Sequence, residues 1–347
     1  MTRGQAANGP RSAMKISVIM PTYNYGHLLP GTLRTLEAQT FKDFELLVVD
    51  DGSTDNTEEV VRGFSPQLGN CRYLKKPHTG PADSRRVAVE AATGTHIASL
   101  DSDDMWSPEY METVRSSFAR HPHAEMFFCD GLHVQATGKV MYGALPGDPP
   151  PASGQVTSLR ELFVLCINFC PTGMVFTKSL YQRVGPFDAR YGFGLCDDTD
   201  WVVRAVTAGA RCIRMNRKLF LHRVHGANLT TDPVAYLEPW LSVYAEKIQG
   251  GPLGPEFERY ARQFTRGYVL RLLGVCSPAK GRALLSKTLE VLPGDFILNC
   301  AYASTYLGST SALKLLKLGK RLIRKSFQHN QRLDLSAPPA AIFEGVK

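Results

Sequence analysis

Residues 15–130 alternate between short apolar runs and helical patterns, and this alternation limits the possible folds more than any other feature. The apolar runs occupy residues 16–20, 44–49, 96–100 and 124–129. Runs without polar alternation are typical of strands in a parallel sheet that helices cover on both faces. We therefore predict an α/β, doubly wound domain that binds its ligands at the carboxyl ends of the strands.

Polar and acidic side chains directly follow three of these runs. They lie in Pro21-Thr22-Tyr23-Asn24, Asp50-Asp51-Gly52-Ser53 and Asp101-Ser102-Asp103-Asp104. Because parallel strands end at one edge of a sheet, we expect these groups to converge. Asp101 and Asp103 could face one Mg²⁺ or Mn²⁺, ions that prefer oxygen ligands and share them with phosphates. Asp51 could accept from a ribose hydroxyl or a base N–H. Solvated turns and helix caps use the same residues, so both interpretations stay open.

Two later segments also carry candidate chemistry. Asp197 and Asp198 stand at the start of a predicted helix, where acids suit the helix dipole. Alternatively, one of them is a general base, and the clustered like charges would raise its pKa. His222 and His225 form an H-x-x-H pair, which is more often structural than metal-binding. Arg223 between them could contact a diphosphate.

Several protein classes are disfavoured. No G-x-G-x-x-G follows the first apolar run, which argues against NAD and FAD, and no P-loop motif is present. No C-x-x-C pair occurs among the eight cysteines, which predicts free thiols in a reducing compartment. No apolar run reaches 18 residues, so we predict no transmembrane helix. The expected location is the cytoplasm, either free in solution or bound peripherally to the inner face of the membrane.

The net charge of 40 − 32 = +8 suits anionic partners. In residues 312–327, every leucine and isoleucine except Leu313 falls on one helical face, and Lys and Arg fall on the other. This pattern predicts either a basic amphipathic helix on an anionic membrane surface or a terminal helix with a solvated basic face. The basic face has no interleaved aromatic residues to stack bases, so we predict no nucleic-acid partner.

Several segments together closely resemble glycosyltransferase family 2. The opening motifs are residues 17–24, 39–45 and 48–55, and the later ones are residues 80–94, 100–104, 172–201 and 223–225. The similarity runs in order from about Lys15 to Thr230. It implies a GT-A fold with a mostly parallel sheet, helices on both faces and a C-terminal helical extension. It also implies inverting transfer from a nucleotide-diphospho-sugar, usually a UDP-sugar, to a glycan or lipid-linked acceptor.

The resemblance further implies a role for each motif residue. The residues it implies as nucleotide-sugar contacts are Pro21, Thr22, Tyr23, Asp51, Arg85, Asp101 and Ser102. Within this set, Asp51 would read the base. Arg86 is the alternative to Arg85. Asp103, with Asp101, would hold Mg²⁺ or Mn²⁺, and His225 would close over the metal or diphosphate. The family's Glu-Asp motif appears as Asp197-Asp198. Asp198 takes the position of the base, while the acid at 197 differs from the family's.

Two other functions remain as alternatives. A nucleotidyltransferase should carry a basic Gly-rich loop after its first strand, yet residues 20–26 contain no Lys or Arg. A non-catalytic nucleotide-sugar-binding protein would usually have lost a site carboxylate, and none is missing. The predicted divisions are a disordered leader (1–14), the GT-A domain (15–249, with nucleotide and acceptor halves meeting near 130), a helical region (250–335) and a frayed tail (336–347).

Overall fold

The computed structural model describes residues 14–143, 153–191, 195–226, 228, 234–274, 276–306, 333–344 and 346. Two sequence predictions lie outside these residues. They are the disordered leader, apart from Met14, and the basic amphipathic helix over 312–327.

A single sheet organises the described residues. Its strands are β1 (Ile16–Thr22), β2 (Phe44–Asp50), β3 (Cys71–Lys75), β4 (His96–Ser99), β5 (Met105–Trp106), β6 (Met126–Gln135), β7 (Val140–Gly143), β8 (Gly154–Gln155), β9 (Met174–Thr177) and β10 (Cys212–Val224). The order is β3-β2-β1-β4-β9-β6-β10-β5, with β7 beside β6 and β8 beside β10. Strands β1 to β4 are parallel, β9 is antiparallel to both β4 and β6, and β6 is parallel to β10. The prediction of a mostly parallel sheet is confirmed.

The described helices cover both faces of this sheet, as predicted. They are α1 (Leu29–Glu37), α2 (Thr57–Leu68), α3 (Pro81–Ala91), α4 (Tyr110–Arg120), α5 (Leu159–Asn168), α6 (Lys178–Val184), α7 (Asp197–Thr207), α8 (Leu237–Val243), α9 (Gly254–Leu272), α10 (Pro278–Val291), α11 (Phe296–Ser304) and α12 (Pro339–Glu344). One apolar core joins the sheet to α1, α2 and α4. A second core joins the other face to α3, α5, α7 and the helices from α8 to α11.

The strand register brings the polar segments to one edge. Ile16 pairs with Phe44 on one side of β1 and with His96 on the other, so the three strands begin at the same level. At the far end of β1, Thr22 lies beside Asp50. The segments that follow β1, β2 and β4 therefore emerge next to one another, which creates the candidate site.

The C-terminal helices are not an independent unit. The ring of Phe163 in α5 packs against Phe257 and Phe264 of α9, with centroid separations of 5.4 and 6.2 Å. Residues of α9, α10 and α11 belong to the same buried cluster as α3 and α7. The predicted division near 249 is thus a break in the chain and not a break in the core.

The predicted frayed tail is wrong for the described part of 336–347. Ile342 in α12 is buried with Leu333 against Leu132 and Val134 of β6. The backbone N–H of Leu333 also donates to the carbonyl of Gly138 at 2.8 Å. Because two prolines suggested a frayed end, the sequence interpretation overlooked the apolar side chains that anchor this segment.

Gly131 provides a test of the core around β6 and β10. A Cβ atom there would lie 2.4–2.5 Å from three ring carbons of Phe220, a buried side chain that also packs against Gly173. We expect Gly131→Ala to lower the free energy of unfolding by about 1–3 kcal/mol because the ring must shift. The control is Gly63→Ala in α2, where nothing lies within 4 Å of an added Cβ and alanine favours the helix. Chemical denaturation measures both; equal stabilities would contradict the packing described.

Candidate active site

A cavity of about 520 Å³ lies at the carboxyl edge of the parallel strands. Most of the residues that sequence analysis assigns to the site line it. Those residues are Pro21, Thr22, Tyr23, Asp51, Arg85, Asp101, Ser102, Asp103 and Asp198. Asp197 and His225 stand behind this lining and contact it through Arg85 and Asp103.

Asp103 lines one side of the cavity, and His225 contacts it from behind. His225 Nε2 lies 3.1 Å from Asp103 Oδ2, and the side-chain amide of Asn228 donates to the same oxygen at 3.1 Å. Tyr25 meets the His225 ring edge to face at 5.5 Å. Sequence analysis did not identify Asn228, since its position is fixed only by the turn after β10.

These groups fit a divalent cation. Carboxylate oxygen and imidazole nitrogen are ligand types that Mn²⁺ accepts, and Mg²⁺ prefers the oxygen. The side chains of Asp103 and His225 are only 10% and 14% exposed, and Asp103 lines the cavity. Asp101 turns instead toward Arg85, whose Nη2 lies 3.1 Å from its Oδ1. Asp103 is therefore the carboxylate best oriented for direct coordination.

Asp51 organises the loop that follows β3. Its carboxylate accepts from the backbone N–H groups of Thr79 and Gly80 at 3.0 and 2.8 Å, and Lys76 pairs with it. Burial alone would raise the pKa of Asp51, but hydrogen bonds from Lys76 and these N–H groups lower it. Beside this loop, His78 stacks on Tyr23 with ring centroids 4.0 Å apart. Lys76 and His78 were not predicted as site residues.

Arg85 bridges two carboxylates, those of Asp101 and Asp197. Its Nη1 lies 2.8 Å from Oδ2 of Asp197, while its Nη2 contacts Asp101. Both Arg85 and Asp197 are buried. Arg86, by contrast, pairs with Asp83 and Glu90 near the surface. Of the two arginines that the sequence left as alternatives, Arg85 lines the cavity and Arg86 does not.

Asp198 is the partly buried carboxylate at the start of α7 that lines the cavity. It accepts a hydrogen bond from the backbone N–H of Thr199 at 2.6 Å. Burial, together with the negative charge of Asp197, raises the pKa of Asp198 to about 7, and Arg85 opposes the rise. A carboxylate with a pKa near neutrality can both take and release a proton, as general-base chemistry requires.

The H-x-x-H pair does not converge on one point. His222 Nδ1 lies 3.1 Å from Oδ1 of Asp104, whereas His225 faces Asp103. The guanidinium of Arg223 donates to the carbonyl of Leu28 at 3.1 Å and to Thr32 Oγ1 at 2.8 Å. These contacts direct the Arg223 guanidinium toward the start of α1, and Arg223 is not among the residues that line the cavity.

Solved structures share this fold. Staphylococcus aureus TarS, residues 1–349, in complex with UDP-GlcNAc, superposes with a TM-score of 0.64 over 92% of this chain and 94% of that one, at 19% identity. The mannosyltransferase PcManGT from Pyrobaculum calidifontis, in complex with GDP-Man and Mn²⁺, superposes with a TM-score of 0.59 over 93% and 84% of the two chains, at 20% identity. These superpositions confirm the predicted GT-A fold.

The sequence comparisons agree with the predicted family. Residues 17–183, slightly less than half of the chain, match the model for glycosyl transferase family 2. A PGL/p-HBAD biosynthesis glycosyltransferase of Mycobacterium bovis is 29% identical over 182 residues. That alignment covers 52% of this chain and 66% of the relative, just under two thirds of its length.

Proposed function

We propose that this protein is an inverting glycosyltransferase that moves a sugar from a nucleotide-diphospho-sugar to an acceptor hydroxyl. The observation that carries the proposal is the position of Asp198, which shares one cavity with Asp101 and Asp103. With a pKa of about 7, Asp198 is suited to take a proton from an acceptor. In this proposal, Asp198 would act on the acceptor, and Asp101 and Asp103 would act on the donor diphosphate in the same cavity.

The proposed donor is a UDP-sugar, bound with Mg²⁺ or Mn²⁺. Asp103 and His225 would hold the ion, with Asp101 beside them. When bound, the ion supplies positive charge that stabilises the leaving diphosphate. Pro21, Thr22 and Tyr23 would contact the nucleotide next to Ser102. Support comes from the structural neighbours, whose complexes contain UDP-GlcNAc or GDP-Man with Mn²⁺.

Asp51 would contribute to base binding mainly by shaping its pocket. Its two oxygens already accept from Thr79 and Gly80, so the loop carrying His78 is held beside Tyr23. A base entering next to Tyr23 would meet this loop and the edge of the Asp51 carboxylate. Base reading by Asp51 itself remains part of the proposal.

The transfer would be a single displacement. Asp198 accepts the proton of the acceptor hydroxyl while that oxygen forms a bond to the anomeric carbon. The bond from this carbon to the diphosphate oxygen breaks, and its electron pair leaves with the nucleotide. Attack from the face opposite the leaving group inverts the configuration, so no enzymic nucleophile is required.

Asp197 would act through Arg85 and not as a second base. Its Oδ2 is 2.8 Å from Arg85, and its side chain is fully buried away from the cavity lining. Arg85 in turn contacts Asp101, so it ties the base-bearing α7 to the donor side. The charge of Asp197 also raises the pKa of its neighbour Asp198.

The pH dependence of the reaction follows from Asp198. A base works only when deprotonated, so we expect kcat/KM to rise about tenfold per pH unit below pH 7 and to level off above it. Initial rates measured from about pH 5.5 to 8.5, at fixed Mn²⁺ concentration, test this. Circular dichroism at each pH is the control for unfolding. A flat profile with folded protein would contradict Asp198 as a base with this pKa.

A glycan or lipid-linked acceptor at an anionic membrane surface is the proposed setting. The excess of 8 positive charges and the basic segment 312–327 favour such a surface. On α11, Phe296 and Ile297 are 79% and 45% exposed. Exposed apolar side chains are typical of helices that bind at the membrane interface. Within the described ranges, no helix has the length and apolarity needed to span a bilayer.

Vesicle sedimentation tests this setting. We expect the protein to pellet with vesicles rich in phosphatidylglycerol and to stay in the supernatant with phosphatidylcholine alone. Phe296→Ser combined with Ile297→Ser should weaken pelleting about tenfold, since two apolar side chains lose their burial. Equal behaviour with both vesicle types would overturn the membrane proposal and leave the transfer reaction untouched.

The transfer itself is tested by product analysis. Purified protein is incubated with Mn²⁺, a UDP-sugar and a panel of hydroxyl acceptors, and released nucleotide is quantified. NMR of the product should show the anomeric configuration opposite to that of the donor. Retained configuration would overturn the single displacement. Donor binding without turnover for any acceptor would favour the non-catalytic alternative.

A further inference from the structure

We propose that Asp104, Cys170 and His222 form a second metal site that is specific for Zn²⁺ and separate from the Asp103–His225 site. Among the described residues, these three side chains are the one group of His, Cys, Asp or Glu whose ligand atoms all lie within 4.8 Å of one another. They come from three distant segments: the turn after β4, the turn before β9 and the end of β10.

The spacing of the ligand atoms fits tetrahedral coordination. Metal–ligand distances of about 2.0–2.3 Å place tetrahedral ligand atoms about 3.3–3.7 Å apart. In the structure, His222 Nδ1 is 3.2 Å from Asp104 Oδ2. Cys170 Sγ lies 3.8 Å from Asp104 Oδ2 and 4.0 Å from His222 Nδ1. Side-chain shifts of about half an ångström would bring all three onto one ion.

The chemistry of the three ligands selects the ion. A thiolate, an imidazole and a carboxylate form a set that Zn²⁺ binds well, whereas Mg²⁺ avoids sulfur and nitrogen. On binding, Zn²⁺ replaces the thiol proton of Cys170, which passes to solvent, and no electron is transferred. The Asp103–His225 site lacks a sulfur ligand, so the two sites differ in preference.

Neighbouring groups orient the Asp104 carboxylate, and the fourth coordination position faces the cavity. Thr172 Oγ1 donates to Asp104 Oδ2 at 2.5 Å, and the backbone N–H of Arg223 donates to Oδ1 at 3.0 Å. Such contacts fix ligand orientation in metal sites. Cys170 and His222 both line the 520 Å³ cavity, so a fourth ligand can come from it.

Zn²⁺ at this position would inhibit the proposed transfer. Asp104 directly follows Asp103 in the chain, so drawing Asp104 toward the ion alters the turn that carries the donor-side ligand. This inhibition rests on the proposed function, whereas binding of Zn²⁺ does not.

Direct binding provides the test. Co²⁺ serves as the spectroscopic probe, because a thiolate ligand gives a charge-transfer band in the near ultraviolet. We expect this band in the wild-type protein, its loss in Cys170→Ser, and its retention in Cys300→Ser, which alters an exposed cysteine. Calorimetry should show Zn²⁺ affinity reduced at least tenfold in Cys170→Ser and in His222→Gln, with excess Mg²⁺ unable to displace Zn²⁺.

The outcomes are distinguishable. No Co²⁺ band in the folded wild-type protein, or an unchanged band and affinity in folded Cys170→Ser, would overturn the second site. Circular dichroism confirms folding of each variant. His222→Gln is a second test of the site in which the Cys170 thiol is still present. Zn²⁺ binding that depends on Cys170 would support the site even if no transferase activity were found.

Discussion

Replacing Asp198 by asparagine is expected to lower kcat about 10²–10⁴-fold while donor affinity stays near the wild-type value. Asparagine keeps the size and the hydrogen bond from the Thr199 backbone but cannot accept a proton from the acceptor. The effect is large because the hydroxyl would then attack in its neutral form. Steady-state rates at saturating donor, with donor affinity measured by calorimetry, separate the two quantities.

A matched control is Asp43→Asn, which removes one negative charge from an exposed position between α1 and β2. We expect this variant to keep both kcat and donor affinity. If Asp198→Asn turned over at the wild-type rate, another group would be the base. If it lost donor binding to the same extent as kcat, the role of Asp198 would lie on the donor side.

Replacing Asp103 by asparagine should remove the dependence of donor binding on Mn²⁺. The substitution keeps an oxygen near His225 but removes the negative charge that holds a divalent cation. We expect donor affinity in the presence of Mn²⁺ to fall about 100-fold, to the value measured with chelator, since the ion contributes several kcal/mol of charge stabilisation. Calorimetric titrations with and without Mn²⁺ measure the loss.

Asp43→Asn again controls for the change in net charge and should retain the response to Mn²⁺. The Asp103 variant also separates the two proposed metal sites. Asp103→Asn should keep the Cys170-dependent Co²⁺ band, because Asp103 is not one of the three residues Asp104, Cys170 and His222 that form the second site. A wild-type Mn²⁺ response in Asp103→Asn would show that a different carboxylate, such as Asp101, holds the ion.

The four strands that the sequence predicted are buried along most of their length. β1 and β2 are buried along their whole length and read as continuous apolar runs. β10 was missed because it carries Arg214, Asn216 and Lys218, and its pairing with β6 shifts register at two points. β3 was missed because its residues are only half-buried, which gives no apolar run.

The part of the candidate site that consists of polar residues directly after strands could be predicted from the sequence. The segments after β1, β2 and β4 converge because parallel strands share an edge, and motif positions supplied Asp198 and His225. Pairings between distant segments were not predictable in this way. The contacts of Arg85 with Asp197 and of Asp104 with His222 span 112 and 118 positions, and only the folded chain brings them together.

For some predicted residues, the contacts in the structure differ from those expected from the sequence. Arg223 was expected to face a diphosphate, yet it holds α1 through Leu28 and Thr32. Asp197 was expected beside the base as a catalytic group, yet it is buried against Arg85. Sequence position alone cannot tell which of two adjacent acids faces a cavity, because a helix turns each residue by about 100° relative to the one before.

The most direct test of the central claim is a thermal-shift panel of nucleotides and nucleotide-sugars, each with and without Mn²⁺. The account predicts stabilisation that requires both the metal and a nucleotide-diphospho-sugar, most strongly one of the UDP-sugars, and that is lost in Asp103→Asn. Such a result would also identify the donor for acceptor screening. Folded protein that shows no shift with any UDP, GDP, dTDP or CDP compound would contradict the donor site proposed for this cavity.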